Sequence, residues 1–222
     1  MSIRKKKQKI KQKISEKYKG DLDKITRKHA IIDKLDEAGI PVGYWFLTMS
    51  DFDGSPVLQS IVEEYMADIE SAYMDGKSMC FAGNQGTGKT MSSICILKEA
   101  IKLGYSAYYT TASDILNEWT DYKNSSALRK RLREVDFLLI DELDSRFFTS
   151  DSVKELFSGI YENVFRYRAH NTMPTIICTN ETEEILNVFY GASVQSIGSL
   201  NKQYLNIIPV VGKDFRKRNS NE

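Results

Sequence analysis

Between Gly83 and Thr90 the chain reads Gly-Asn-Gln-Gly-Thr-Gly-Lys-Thr: one glycine, four variable positions, then Gly88, Lys89 and Thr90. Residues of these types at this spacing suit the handling of a polyphosphate. The glycines let successive backbone N–H groups turn toward an anion, Lys89 reaches the outer phosphates, and the Thr90 hydroxyl is placed to ligate Mg²⁺. A helix starting at this point adds the partial positive charge of its N-terminus. The predicted phosphate-binding set is therefore Gly83, Asn84, Gln85, Gly86, Thr87, Gly88, Lys89, Thr90 and Met91. A second group is Asp136-Phe-Leu-Leu-Ile-Asp-Glu142, in which an apolar run delivers two carboxylates together. Asp141 is suited to hold Mg²⁺ with Thr90, and Glu142 to act as general base on the water that attacks the γ-phosphate. An acidic pair here could also simply cap a following helix; the phosphate loop upstream favours the metal role. A third group, Thr175-Ile-Ile-Cys-Thr-Asn180, ends in an amide able to hold the attacking water or the γ-phosphate. A turn-forming asparagine is its plain alternative. Lys89, Glu142 and Asn180 are thus the predicted catalytic residues, with ATP and Mg²⁺ as cofactors.

Such groups need rigid strands to carry them. Apolar strand patterns occur at 78–83, 105–111, 136–141, 175–180 and 206–211, alternating with helical patterns at 89–103, 112–119, 125–133 and 151–168. This alternation predicts an α/β fold with a mostly parallel sheet covered on both faces. Upstream, Leu22, Ile25, His29, Ile32 and Leu35 recur at helical steps, with Gly39 as stop, predicting an amphipathic helix over 21–38 with His29 on its surface. Residues 40–56 read as an irregular connector pinned by Tyr44, Trp45, Phe46 and Phe52. A single helix is expected over 55–73, with Val57, Ile61, Tyr65 and Ile69 on its buried face.

The 222 residues carry 41% hydrophobic and 27% charged side chains, enough for a core and too apolar for a disordered chain. No uncharged stretch approaches the roughly 18 residues of a membrane span, and the start of the chain lacks the pattern of a secretory signal, so a cytoplasmic location is expected. Cys80, Cys95 and Cys178 are widely spaced and read as small core residues rather than a disulfide or metal set. The net charge of +1 hides an asymmetry: residues 1–19 carry +8 and the remainder −7. The basic arm could contact nucleic acid, dock on an acidic protein or aid solubility, and Ile3, Ile10 and Ile14 suggest that it becomes helical against a partner.

With these elements in this order, the sequence resembles AAA+ ATPases of the bacterial helicase-loader group, the DnaC and DnaI type, and the related IstB-type transposition helpers. The resemblance runs over about residues 40–216 and is carried by AGIPVGY, GNQGTGKT, YYTTASDI, VDFLLIDEL, PTIICTN and GKDFR. It implies a P-loop NTPase core of five parallel strands in the order 5-1-4-3-2 without a C-terminal helical lid. It also implies that Lys89, Thr90, Asp141, Glu142 and Asn180 bind and hydrolyse ATP. Loaders of this kind grip a hexameric replicative helicase through an N-terminal region and contact single-stranded DNA through an oligomeric ATPase part. The expected division is accordingly 1–38, a basic arm and helix that bind the helicase partly through Leu22, Ile25 and Ile32, and 39–222, the ATPase domain. The small N-terminal region suggests a phage or mobile-element version.

One departure stands out. The family's arginine finger falls on Ser199 here, so turnover is expected to be weak without partners unless Arg146, Arg166, Arg168 or Arg216 substitutes. Trp119, Tyr122, Lys123, Arg129, Lys130, Arg131 and Arg133, or the terminal GKDFRKR, could contact DNA; a solvated helix with Leu128 and Leu132 facing the core is the plain alternative for the first group. The expected function is an ATP-dependent loader of a replicative helicase onto single-stranded DNA during replication initiation. The alternatives are an IstB-type transposase helper and a weakly hydrolysing, nucleotide-gated adaptor.

Overall fold

The computed structural model describes residues 2–121, 125–144, 150–181, 204–212 and 214. Its sheet contains β1 (Ser78–Gly83), β2 (Ala107–Thr111), β3 (Phe137–Leu143), β4 (Thr175–Thr179) and β5 (Leu205–Val210). All pairings are parallel and the order is β2-β3-β4-β1-β5, the order that the resemblance implies. The expectation about a lid concerns residues after β5, of which only Val211, Gly212 and Asp214 are described.

Side chains alternate along each strand, so the two faces build two cores. Met79, Phe81, Phe137, Leu139, Ile176 and Cys178 face one helical layer, formed by α2 (Leu22–Glu37), α3 (Pro56–Ala67), α4 (Ile69–Met74) and α5 (Lys89–Lys102). Cys80, Leu138, Ile140 and Ile177 face the other, formed by α6 (Ala112–Thr120), α7 (Ser125–Glu134) and α8 (Asp151–His170). All three cysteines are buried thiols. No helix among the described residues is long and apolar enough to cross a membrane.

Several expectations need correction. The helix expected over 55–73 is broken at Asp68, whose backbone leaves the helical region (φ −137°, ψ 59°) and whose carboxylate caps α4 by accepting from the Ser71 N–H at 3.1 Å. Its inward face is Leu58, Val62, Tyr65 and Ile69, whereas Val57 is 67% exposed. The basic arm does not wait for a partner to fold. It forms α1 (Ile3–Lys17), capped by Ser2, and lies on α2, with Ile10 and Ile14 against the first core. Lys7 bridges Asp33 and Asp36 at 2.9 and 2.6 Å, and Lys11 meets Asp33 at 2.7 Å. His29, expected merely on the surface, bonds the Lys11 carbonyl at 3.0 Å and so fastens the two helices. Finally, Ile32 is buried beneath α2 and is withheld from any partner.

The same helix ties this hairpin to the sheet. Leu35, Ala38 and Ile40 are core residues, and the Ala38 carbonyl accepts from the Tyr109 N–H at 2.8 Å beside β2. The connector is pinned as its aromatics suggest: the Trp45 indole is buried and donates to the Ile40 carbonyl at 2.7 Å. At the opposite end of the sheet, the fully buried Arg168 donates to Thr175 and to the carbonyls of Leu132, Arg133, Val135, Asp136 and Pro174. It thereby joins the end of α8 to the starts of β3 and β4.

Candidate functional site

The phosphate loop leaves β1 at Gly83 and enters α5 at Lys89. Two of its glycines are required by geometry. Gly88 holds φ +90° at the N-cap, and a Cβ there would stand 2.4 Å from the Phe52 ring; Gly86 holds φ +76°, and a Cβ would collide with the Asp214 carboxylate. Phe52 of the connector thus supports the loop from one side, and Gly212 and Asp214 after β5 lie against its tip. Lys89 is 6% exposed. Its ammonium donates to the carbonyls of Gly83 and Asn84 at 2.6 and 2.7 Å, and reaches Asn180 Oδ1 at 3.2 Å and Thr87 Oγ1 at 3.4 Å. It is folded across its own loop, which turns on a few short bonds that an incoming phosphate can replace.

Asp141 is 3% exposed and accepts from the Thr90 hydroxyl at 3.2 Å, the Tyr109 hydroxyl at 3.1 Å and the Glu142 N–H at 2.9 Å. Burial pushes its carboxyl above the usual range, and these donors together with the nearby Lys89 oppose the shift. Burial, reinforced by Asp141, likewise raises Tyr109 and keeps its phenol protonated as a donor. The acidic pair lies within β3 rather than after it, because the strand continues to Leu143. Ile140 pairs with Ile177 but Leu143 with Thr179, so three steps on β3 oppose two on β4. Glu142 absorbs this bulge with φ +53°. For a residue with a Cβ that conformation costs about 1–2 kcal/mol. Its consequence is that Leu143 returns to the core face of Leu138 and Ile140, while Glu142 stays exposed at the mouth of the cleft.

Asn180 completes the ring. Its Oδ1 faces Lys89, and its amide nitrogen donates to Asp144 Oδ2 at 3.2 Å, which sets the orientation of the amide. The three groups, predicted from separate stretches of sequence, therefore converge on one cavity of about 310 Å³ lined by Tyr44, Gln85 to Met91, Asp141, Glu142, Cys178, Thr179 and Asn180. Gly83 and Asn84 contribute through the carbonyls that hold Lys89. Sequence reasoning missed Tyr44, Tyr109 and Asp144. Only the register that sets Thr111 beside Asp141 could have suggested Tyr109.

Thr90 Oγ1 and the Asp141 carboxylate are adjacent oxygen donors at the edge of a phosphate cradle, a donor set that fits Mg²⁺ and would not select a softer metal. Of the arginines considered as finger replacements, Arg168 is excluded. It is wholly buried, its pKa is pushed down to about 9 by burial, and its donors are consumed by the carbonyls named above. Arg166 pairs with Glu162 at 2.5 Å. Ser199, Arg146 and Arg216 lie outside the described residues, as do Tyr122 and Lys123. Among the remaining candidates for DNA contact, Arg129 lies over Trp119 at 4.3 Å, Arg131 over Tyr108 at 3.9 Å and Arg133 over Tyr167 at 5.0 Å, while Lys130 is exposed and meets Glu134 at 3.8 Å. Arg131 also donates to the Glu37 carbonyl and Arg133 to Asn163.

The model of a family described as IstB-like ATP binding protein matches residues 51–222. A curated relative, an ATP-binding protein of insertion sequence IS5376 from Geobacillus stearothermophilus, is 28% identical over 175 residues. That match covers 76% of this chain and 66% of the relative's own length. Among solved structures, the DnaC helicase loader superposes with a TM-score of 0.62 at 20% identity, covering 77% of this chain and 100% of that one. The replication initiator DnaA, bound to AMPPCP and single-stranded DNA, gives 0.58 at 21% identity, covering 78% and 51%.

Proposed function

The chain belongs to the IstB-like ATP-binding protein family, and from that premise we propose that it hydrolyses ATP to ADP and phosphate and acts as a loader of a hexameric replicative helicase onto single-stranded DNA. The observation that supports hydrolysis, beyond nucleotide binding, is the hydrogen-bonded chain of groups around one cavity. Thr90 meets Asp141, Lys89 meets Asn180, and the bulge at Glu142 turns a second carboxylate toward the same space.

In this reading the triphosphate displaces the Lys89 ammonium from the carbonyls of Gly83 and Asn84, and Lys89 then binds the outer phosphates. Thr90 and Asp141 would hold Mg²⁺, which when bound neutralises charge on the phosphate oxygens. Glu142 accepts a proton from the attacking water. Asn180, oriented by Asp144, positions that water or the γ-phosphate. Tyr109 holds Asp141 in place by its hydroxyl. Weak turnover without partners is expected, because Ser199 stands where the resemblance places the arginine finger.

The helicase-binding element in this proposal is the apolar part of residues 1–38, where Ile3 and Leu22 are 62% and 77% exposed. A second reading is favoured by the curated relative, which is an insertion-sequence ATP-binding protein: a transposase helper that assembles on double-stranded DNA in the presence of ATP. Mass measurement of the protein mixed with the host replicative helicase, with ATP or ADP, separates the two. A nucleotide-dependent complex is expected of the loader. No complex in either state, together with ATPase stimulation by duplex DNA, would move the assignment to the helper.

A further inference from the structure

Helix α1 sorts its charge by side. Lys7, Ile10, Lys11 and Ile14, at steps of three, one and three residues, form the side turned toward α2, and both lysines there are neutralised by Asp33 and Asp36. Lys5, Lys9, Lys13 and Lys17, all exposed and four residues apart, start on the opposite side and wind round the helix toward the flank of Ile10. The lone acid on that side, Glu16, accepts from Gln12 at 2.9 Å. Four residues of helix rise about 6 Å, so these ammonium groups form a regular, slowly winding row. At the end of the row the Tyr18 ring gathers Lys17, Lys24 and Lys28 within 5.7, 4.8 and 5.2 Å of its centroid.

We propose that this outer face of the α1–α2 hairpin, from Lys5 to Lys28, is a docking surface for the sugar-phosphate backbone of nucleic acid. Charge complementarity selects the occupant. A periodic row of cations meets a polymer with a negative charge at regular intervals more completely than it meets an irregular acidic protein patch. An anionic membrane suits it poorly, because Ile10 and Ile14, the apolar stripe that would enter a bilayer, are turned inward against the core. The −7 charge of residues 20–222 repels a polyanion from the rest of the molecule and leaves the hairpin as the point of approach. The surface does not depend on ATP. Its position does place it one helix away from the cleft, since α2 ends at the Ala38 carbonyl bonded by Tyr109, whose hydroxyl holds Asp141.

The test is fluorescence anisotropy of the full chain, without nucleotide, with a labelled random-sequence duplex and its single strand between about 50 and 200 mM salt. The variant carries Lys5→Gln, Lys9→Gln, Lys13→Gln and Lys17→Gln together. Duplex affinity is expected to fall by about 100-fold at the upper salt, and the slope of log affinity against log salt to flatten by about 3.6 on the duplex and about 2.8 on the single strand, because each neutralised phosphate contributes about 0.9 and 0.7 respectively. The corresponding four arginine substitutions restore both, and an unchanged melting curve shows that the fold is intact. Lys89→Ala leaves the titration unaltered, which separates this surface from the nucleotide reading. Equal affinity and slope in the glutamine variant would overturn the proposal. So would tighter binding to polyglutamate or to phosphatidylserine vesicles than to DNA, or a salt-sensitive self-association abolished by the same four changes.

Discussion

Lys89 and Asp141 are 6% and 3% exposed, whereas the side chains of Lys7, Lys11 and Asp33 in the N-terminal hairpin are 22%, 27% and 41% exposed. Both regions are built from lysine and aspartate, yet they work differently. In the cleft, water is largely excluded, so every polar atom needs a fixed partner and small displacements are costly. Thr90, Tyr109 and Asn180 supply those partners. In the hairpin, solvent screens the same charges, and the ion pairs chiefly select which side of α1 faces the body. Buried charge is held by fixed partners; exposed charge is held by screened pairs.

Glu142→Gln is the strongest test of this contrast. It should leave ATP binding and the melting temperature near wild type while lowering turnover by about 10²–10⁴-fold, the range of a lost general base. Unchanged turnover in a phosphate-release assay would remove Glu142 from catalysis. Tyr109→Phe is expected to cost about 0.5–1.5 kcal/mol in denaturant unfolding, the worth of one hydrogen bond, and to slow turnover several-fold by loosening Asp141. No change in either would mean that the tyrosine only fills space. At the hairpin, Lys7→Gln with Lys11→Gln should cost less than about 1 kcal/mol per ion pair. That loss should vanish near 1 M salt, where screening acts within about 3 Å, whereas the Tyr109→Phe effect persists.

The smallest effect concerns pH. Hydrogen bonds from Lys11 and then Lys7 hold the Asp33 carboxyl below its ordinary 3.8. Its contribution to docking α1 is present above that value and is lost as pH falls through the lower folded value. Proton exchange along α1 should therefore accelerate below about pH 4 before the sheet unfolds; simultaneous loss of both would show that the hairpin is not an independently released layer.

The cleft was legible in the sequence wherever its chemistry is carried by neighbours along the chain. GNQGTGKT and DFLLIDE each hold their donors within eight residues, and Asn180 closes its own strand. Tyr44, Tyr109 and Asp144 were not legible, because their roles arise only when the connector, β2 and β3 meet across the sheet. The bulge at Glu142 left no mark either, since a positive φ on glutamate follows from pairing with β4 and not from local preference. The hairpin was half legible. Its charge was plain, but the inward stripe includes two lysines, so apolar periodicity alone could not show that the arm folds back on its own chain. Likewise, the Val57 periodicity ran one position off the buried face that Leu58 and Val62 occupy.

In the proposed reading, one triphosphate with its metal binds between the glycine loop and the acid pair. Calorimetric titration of ATP and Mg²⁺ into the Glu142→Gln protein, with and without the added change Lys89→Ala, tests it most directly. Saturable binding at one site per chain, lost when Lys89 is replaced, is expected. Absence of heat in the first protein, or unaltered affinity in the second, would contradict it.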